Sequence, residues 1–417
     1  MIIKRDTYLQ ELINRMHNGM IKIITGIRRC GKSFMLFDLF SGYLMEQGVK
    51  SENIIKIDFE DRRNKELKNP DRLMEYLDTM LSGGNMYYVF IDEIQEVGEF
   101  EYVLSSYVKR RNIDIYVTGS NAKLLSKDVI TSFRGRGDEI KMYPLSFKEF
   151  LSVYDGSKEK ALDDFMIYGG LPQISEMPTD RQKTTYLKNL FIETYLKDIR
   201  ERYNIRNDEE LEILLDILAS DIGVPTNPTR LSNTFKSTRG INISNHTIKT
   251  YIDYINDAFL IETAKRYDVK GRKFIDTPSK YYFTDLGLRN ARLNFRQLEH
   301  THIMENMVYN ELRIKGFNVD VGVVPHFITD VLGVRKRAQY EIDFVCNEGN
   351  KRYYVQVAYK MQAEDKIRQE KRSLQLVSDS FKKIIIVFED INVRRDNDGI
   401  TTIGIYDFLL SDNPLEL

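Results

Sequence analysis

Cysteine is nearly missing from this 417-residue sequence: Cys30 and Cys346 are the only two, and they lie far apart. A disulfide framework and a cysteine-built zinc site are thereby excluded, and a reducing compartment fits. Tryptophan is absent, so tyrosine and phenylalanine carry the aromatic content. Net charge is almost absent too, with 61 Lys and Arg against 62 Asp and Glu. The whole-chain balance announces no nucleic-acid or membrane partner, which leaves only a local patch for such a role. No uninterrupted apolar run approaches the ~18 residues that cross a bilayer. The N-terminus reaches charge at Lys4-Arg5 without the apolar core of a signal peptide. Internal repeats, low-complexity tracts and proline-rich linkers are also missing. What is present, 42% hydrophobic and 29% charged residues, gives ample material for sizeable cores. At roughly 150 residues per domain, about three domains are expected in a soluble, cytoplasmic chain without a membrane partner.

The first third alternates short β-rich runs with amphipathic stretches. Ile21–Thr25, Ile54–Asp58, Tyr87–Asp92, Ile113–Thr118 and Glu139–Pro144 read as strands, with helices such as Ser33–Tyr43 and Pro70–Leu81 between them. That order predicts an α/β fold, a parallel sheet with helices on both faces. From about Ser146 the pattern turns helical, as in Tyr186–Ile199. A short helix Thr229–Ser237 follows, then a longer one from an N-cap at Ser244 to Phe259, then a ribbon at Lys265–Tyr267 and Lys280–Phe283. The last part mixes helices at Ile303–Lys315 and Asp365–Ser378 with strands at Tyr340–Cys346, Tyr353–Ala358 and Lys383–Phe388. The expected divisions are 1–150, 151–220, 221–292 and 293–417.

Gly26-Ile27-Arg28-Arg29-Cys30-Gly31-Lys32-Ser33 fits G-x-x-x-x-G-K-[ST], with an apolar strand leading in and a helical run from Phe34 leading out. The glycines let the backbone wrap a polyphosphate, so that N–H groups and the helix N-terminus point at the anion. Lys32 is expected on the β- and γ-phosphates of ATP and Ser33 on Mg²⁺. About sixty residues later the strand Tyr87–Asp92 ends in Asp92-Glu93. Asp92 is expected to hold Mg²⁺ and Glu93 to polarise the attacking water as general base. The pair can also cap a following helix, and the two roles are compatible. Ser120 or Asn121, at the end of Ile113–Thr118, is a candidate γ-phosphate sensor.

These three elements in this order resemble the AAA+ ATPases. Gly26-Ile27-Arg28-Arg29, Asp92-Glu93-Ile94-Gln95, Thr118-Gly119-Ser120, Arg134-Gly135-Arg136, Tyr143–Phe150 and Tyr168-Gly169-Gly170-Leu171-Pro172 look like one family of bacterial and archaeal AAA+-like ATPases. The resemblance covers nearly the whole chain. It implies a helical lid-like region, a winged-helix-like module and a restriction-endonuclease-like domain after the ATPase. Such proteins often form rings, and nothing in the sequence counts subunits. Arginine supplies a rigid fork against γ-phosphate charge. Arg136 matches the Gly-Arg of the family pattern, with Arg134 beside it, and a solvated basic turn is the alternative.

Two later features bear on partners. Residues Gly223 to Ile275 carry nine basic and four acidic side chains, a local net of +5. Such an excess suits DNA phosphates: Asn245, His246, Thr247 and Lys249 would face a groove and Lys270–Lys273 would form the wing. Protein contact is the alternative use of such a module. In the endonuclease-like domain the resemblance implies an Asp on one strand and an acid two positions before a Lys on the next. Asp343 supplies the first, but Gln356 and Ala358 hold the other two places. Glu305 is a third candidate ligand and Lys360 a displaced amine. A nuclease-like fold without its chemistry is expected. The leading function is Mg²⁺-dependent ATP hydrolysis that repositions DNA-binding modules. The alternatives are a nucleotide-gated protein-interaction module and an ATP-regulated nuclease.

Overall fold

A computed structural model describes residues 2–120, 133, 135–329, 335–359 and 364–417. The chain divides into two compact units, one made of Met1–Pro144 with Leu171–Gln173 and Asp257–Phe259, the other of the remaining residues. The first unit is built on five parallel strands: β1 (Ile21–Thr25), β2 (Ile54–Asp58), β3 (Tyr87–Asp92), β4 (Ile113–Gly119) and β5 (Gly137–Lys141). Their order is β2-β3-β4-β1-β5. Every residue of β1, β3 and β4 is buried, as a parallel sheet covered on both faces requires. Ile23, Ile57, Val89, Ile91 and Val117 form one core with Leu73 and Leu77 of the helix Pro70–Met80 and Val103 and Leu104 of the helix Phe100–Tyr107. Asn69 caps Pro70–Met80 by accepting from the Arg72 N–H, and Pro70 starts it where no backbone donor is needed.

The sheet departs from expectation at its fifth strand, which was read as Glu139–Pro144 and ends at Lys141. Beyond it the Tyr143 N–H goes to the Tyr8 hydroxyl at 3.0 Å, while the Tyr143 carbonyl accepts from Arg5 at 2.8 Å. The backbone groups that would extend a strand are thus spent on the N-terminal segment. The helix that follows β1 runs from residue 32 to 46, with wider, π-type turns at Met35–Phe40. In β1 the polar Lys22 is buried and pairs across the sheet with Asp114 of β4.

The second unit holds a mixed sheet of eight strands: β6 (Ile261–Asp268), β7 (Lys273–Phe283), β8 (Asn318–Thr329), β9 (Arg335–Glu348), β10 (Lys351–Ala358), β11 (Lys382–Val387), β12 (Arg394–Arg395) and β13 (Ile400–Gly404). Their order is β12-β13-β11-β10-β9-β8-β6-β7. The ribbon β6–β7 that follows the helices Pro228–Arg239 and Asn245–Asp257 is therefore no free wing: β6 pairs in parallel with β8 through Arg266–Val321 to Asp268–Val323. β8 and β13 escaped the sequence reading. β8 carries Gly322 and Pro325 within its length, and β13 is Thr-rich, so neither shows the compact apolar run of β10 or β11.

Helix His300–Ile314 carries a fully buried acid. Glu311 accepts from the Phe147 N–H at 2.6 Å, at the start of the helix Phe147–Leu151, and its other oxygen lacks a hydrogen-bond partner. Burial pushes its carboxyl up to about 7; Lys315 at 4.0 Å and the Phe147 N–H oppose this, and Glu149 adds to it. The native state thus holds a proton that the unfolded chain releases near 4.5. Stability should be fully present below 4.5 and decline as pH rises to about 7. Glu311→Gln should remove up to roughly 3 kcal/mol of that decline, read as a flatter dependence of melting temperature on pH. A slope equal to that of the parent would refute the assignment.

Candidate nucleotide site

At the C-terminal ends of β1, β3 and β4 the chain brings a phosphate-type loop against two carboxylates. The loop leaves β1 at Gly26, whose φ of +144° suits glycine alone. A Cβ there would lie 2.0 Å from the Met142 carbonyl oxygen. Arg29 and Gly31 also have positive φ, and Gly31 stands immediately before the helix that begins at Lys32. The Cys30 side chain is buried with its thiol 3.6 Å from the Met142 carbonyl, so the loop is anchored from below. The Lys32 ammonium is buried and donates to the carbonyls of Gly26 at 2.9 Å and Ile27 at 3.1 Å. It folds back over its own loop, where polyphosphate oxygens would be stronger acceptors.

The Ser33 hydroxyl donates to Asp92 Oδ2 at 2.8 Å, so both expected Mg²⁺ residues lie side by side. Thr118 Oγ1 donates to Asp92 Oδ1 and accepts the Glu93 N–H at 3.0 Å, fixing both acids with one hydroxyl. Glu93 adopts φ +53°, and Oε2 accepts from Ser120 Oγ at 3.0 Å and from the Gln95 amide. Ser120 Oγ in turn accepts from Arg28 Nε at 3.2 Å. Burial pushes Asp92 up to about 6; the Thr118 and Ser33 hydrogen bonds and Lys32 pull it down, while the Glu93 charge adds to the rise. Burial thus opposes the ionisation of Asp92, while two hydroxyls and the Lys32 charge favour it. That donor set, hard oxygens beside a helix N-terminus, suits Mg²⁺ with phosphate.

Gly26, Ile27, Arg28, Arg29, Cys30, Gly31, Lys32 and Ser33 therefore meet Asp92, Glu93 and Ser120 at one edge. Ile27 and Cys30 present backbone only, since their side chains are buried, and Phe34 is partly exposed on the outgoing helix. Asn121 and Arg134 lie outside the described residues. Arg136 is not brought to the loop. It precedes Gly137, which pairs with Ile21 at the opposite end of β1, and six strand steps of ~3.3 Å leave it roughly 20 Å from Gly26. Sequence reasoning missed Arg5, which is buried and donates to the carbonyls of Cys30 (3.0 Å), Tyr143 (2.8 Å) and Pro144 (3.3 Å), bracing the loop from the N-terminus. No motif marks it. Thr118 was visible in its Thr-Gly-Ser block, but not its bridging role.

In the second unit the candidates Glu305 and Asp343 do converge, and an unforeseen residue stands among them. The Lys280 ammonium of β7 lies 2.9 Å from Glu305, 2.8 Å from Glu341 and 3.9 Å from Asp343. Burial alone would lower its pKa, but Glu305, Asp343 and Glu341 reverse this and hold it above the ordinary value. Burial, followed by the Glu305 charge, pushes Asp343 well up. Gln356 faces elsewhere: its amide nitrogen donates to Glu370 at 3.1 Å, and its oxygen accepts weakly from Ser373 and the Asp343 N–H. Lys360 lies outside the described residues.

Three family models match along the chain: an AAA domain over residues 18–151, a domain of unknown function (DUF8612) over 159–299 and a domain of unknown function (DUF4143) over 300–408. An uncharacterized protein of Haemophilus influenzae is 35% identical over 418 residues, covering 98% of this chain and 99% of its own. One from Methanocaldococcus jannaschii is 32% identical over 408 residues, covering 93% and 86%. Among solved structures, the Aeropyrum pernix ORC1 protein in complex with DNA aligns over 70% of this chain and 92% of its own, at 13% identity and a TM-score of 0.31.

The loop geometry predicts a graded response to alanine. Gly26→Ala must move the Met142 carbonyl as well as strain φ, so it should cost several kcal/mol and abolish any nucleotide-induced rise in melting temperature. Gly48→Ala, with φ +87° but open space around it, should cost about 1 kcal/mol and leave that rise intact. Equal losses in the two variants would show that the close approach at Gly26 is unimportant.

Proposed function

This AAA-domain chain belongs to one family with the Haemophilus influenzae and Methanocaldococcus jannaschii proteins, and from that premise we propose that it binds Mg²⁺·ATP, hydrolyses it and thereby repositions a DNA-binding second unit. The observation that carries the nucleotide reading is the buried Lys32 ammonium, held by loop carbonyls next to the Ser33–Asp92 pair. Lys32 would exchange those carbonyls for β- and γ-phosphate oxygens, and the N–H groups of Arg28 to Ser33 would cradle the phosphates. Ser33 and Asp92 would hold Mg²⁺, which supplies neutralisation of phosphate charge when bound. Glu93 would take a proton from the attacking water. Its carboxylate is kept in place by Ser120 and Gln95, and through Ser120 it is connected to Arg28. Arg28 would then be the cation that registers a γ-phosphate within one chain. Arg136, far from this loop, would act as a finger only on the nucleotide of a second copy.

DNA is the proposed partner of the module spanning the helix Asn245–Asp257 and the β6–β7 ribbon. Lys265, Lys270, Arg272 and Lys273 are exposed on the ribbon and its turn, and Asn245, His246 and Lys249 are exposed on the helix. Two of the four acids of the same stretch are occupied: Asp268 holds the turn through the Lys270 and Gly271 N–H groups, and Glu262 pairs with Arg313. The nuclease-like part is proposed to lack cleavage activity, since Ala358 is no amine.

Lys32→Ala should lose the melting shift that saturating ATP gives, which at 100 times the dissociation constant corresponds to about 2.7 kcal/mol. Glu93→Gln should keep that shift while hydrolysis falls by roughly 10²–10⁴-fold. A shift that survives Lys32→Ala, or full turnover in Glu93→Gln, would overturn these roles. Changing Lys270, Arg272 and Lys273 together to Ala should weaken DNA binding equally for all sequences and flatten the salt slope by up to ~2.7. An unaltered slope would move this module to protein recognition.

A further inference from the structure

We propose that the Lys280 ammonium takes, within the chain, the place that a divalent cation takes in a carboxylate-built phosphodiesterase site, so that this unit carries its own fixed cation and binds no metal there. The amine is 3% exposed and lies among three carboxylates from two elements, Glu305 on the helix His300–Ile314 and Glu341 and Asp343 on β9. The shell around it is built. The Tyr282 hydroxyl donates to Glu305 Oε1 at 2.7 Å, and Asp343 Oδ2 accepts the Val357 N–H at 2.8 Å. Behind Glu305 stands Gly223 at φ +71°, where a Cβ would sit 2.8 Å from Glu305 Oε1. A side chain at 223 would displace the glutamate.

An ammonium and a small divalent cation use the same oxygens and differ in charge and approach. N–H···O contacts settle near 2.8 Å, whereas Mg²⁺ draws oxygens to about 2.0–2.1 Å. The two cannot use the same oxygens at once, because the ammonium already sits against Glu305 at 2.9 Å and Glu341 at 2.8 Å, where a metal ion would have to displace it. The amine also arrives by an unusual route. It comes from β7 at the sheet edge, while β10, where the acid-x-Lys pattern would put it, has Ala358. The contact ties the β6–β7 ribbon to the helix and to β9 at once, so the charge that excludes metal also holds the sheet edge.

The test measures bound Mn²⁺ by electron paramagnetic resonance of the free ion, using the full chain with Asp92→Asn to silence the N-terminal carboxylate. With Lys280 present, no saturable Mn²⁺ binding is expected. With Lys280→Ala, a single Mn²⁺ per chain should bind, and Glu305→Gln in that background should weaken it. Saturable binding while Lys280 is present would overturn the proposal, as would a folded Lys280→Ala chain that takes up none. If Lys280→Ala unfolds without metal, recovery of its circular dichroism on adding Mn²⁺ supports the proposal, and failure to recover in Mn²⁺ overturns it.

Discussion

A buried ammonium must be surrounded by acceptors, because desolvating an unpaired charge costs more than a small unit can offset. That constraint organises both units of this protein. Lys22 is paired with Asp114 inside the first sheet, Lys32 leans on carbonyls of its own loop, and Lys280 stands among carboxylates. The identity of the acceptor separates a site from a lock. Carbonyl dipoles are modest partners that the fully charged oxygens of a phosphate would outcompete, so the proposed role of Lys32 is to exchange partners. Carboxylates are as strong as any ligand that would replace them, so Lys280 is fixed where it stands.

The same contrast explains how much could be read in advance. The loop at residues 26–33 was legible because its geometry is carried by backbone: glycines at 26 and 31, and a Lys-Ser pair at a helix start, leave a contiguous mark. Asp92-Glu93 was legible because an apolar strand ending in acids is likewise local. The five strands of the first sheet followed from their apolar runs. Arg5, Thr118 and Lys280 were not legible as site residues, since each acts over long sequence separations. Arg5 reaches Cys30 and Tyr143, and Lys280 reaches Glu341. No period or spacing encodes such a contact. The ribbon was read correctly as two strands, but its pairing with β8, some fifty residues later, depends on a tertiary register that alternation alone leaves open.

Position within a parallel sheet also decides which charged residues can act together. The ends of β1, β3 and β4 meet at the edge where the strand order turns back on itself, so loops there converge on one crevice. Lys32, Ser33, Asp92, Glu93 and Ser120 come from three such ends. Arg136 enters β5 from the other end, and the length of β1 separates it from them. A sequence pattern can group an arginine with a loop; the direction of the strand determines whether they share a site.

Thr118 is where that convergence becomes a single device. Its hydroxyl has one proton and lone pairs to spare, and both are used: the proton goes to Asp92, and a lone pair receives the Glu93 N–H. The second bond helps hold Glu93 at its left-handed φ of +53°, a conformation that costs a non-glycine residue roughly 1 kcal/mol or more. That turn directs the Glu93 carboxylate to Ser120 and away from the strand line of Asp92. Adjacent acids on a continuing strand would point to opposite faces. With the turn in place, the residue proposed to hold the metal and the residue proposed to activate water stay neighbours in the crevice, and β4 dictates the angle between them.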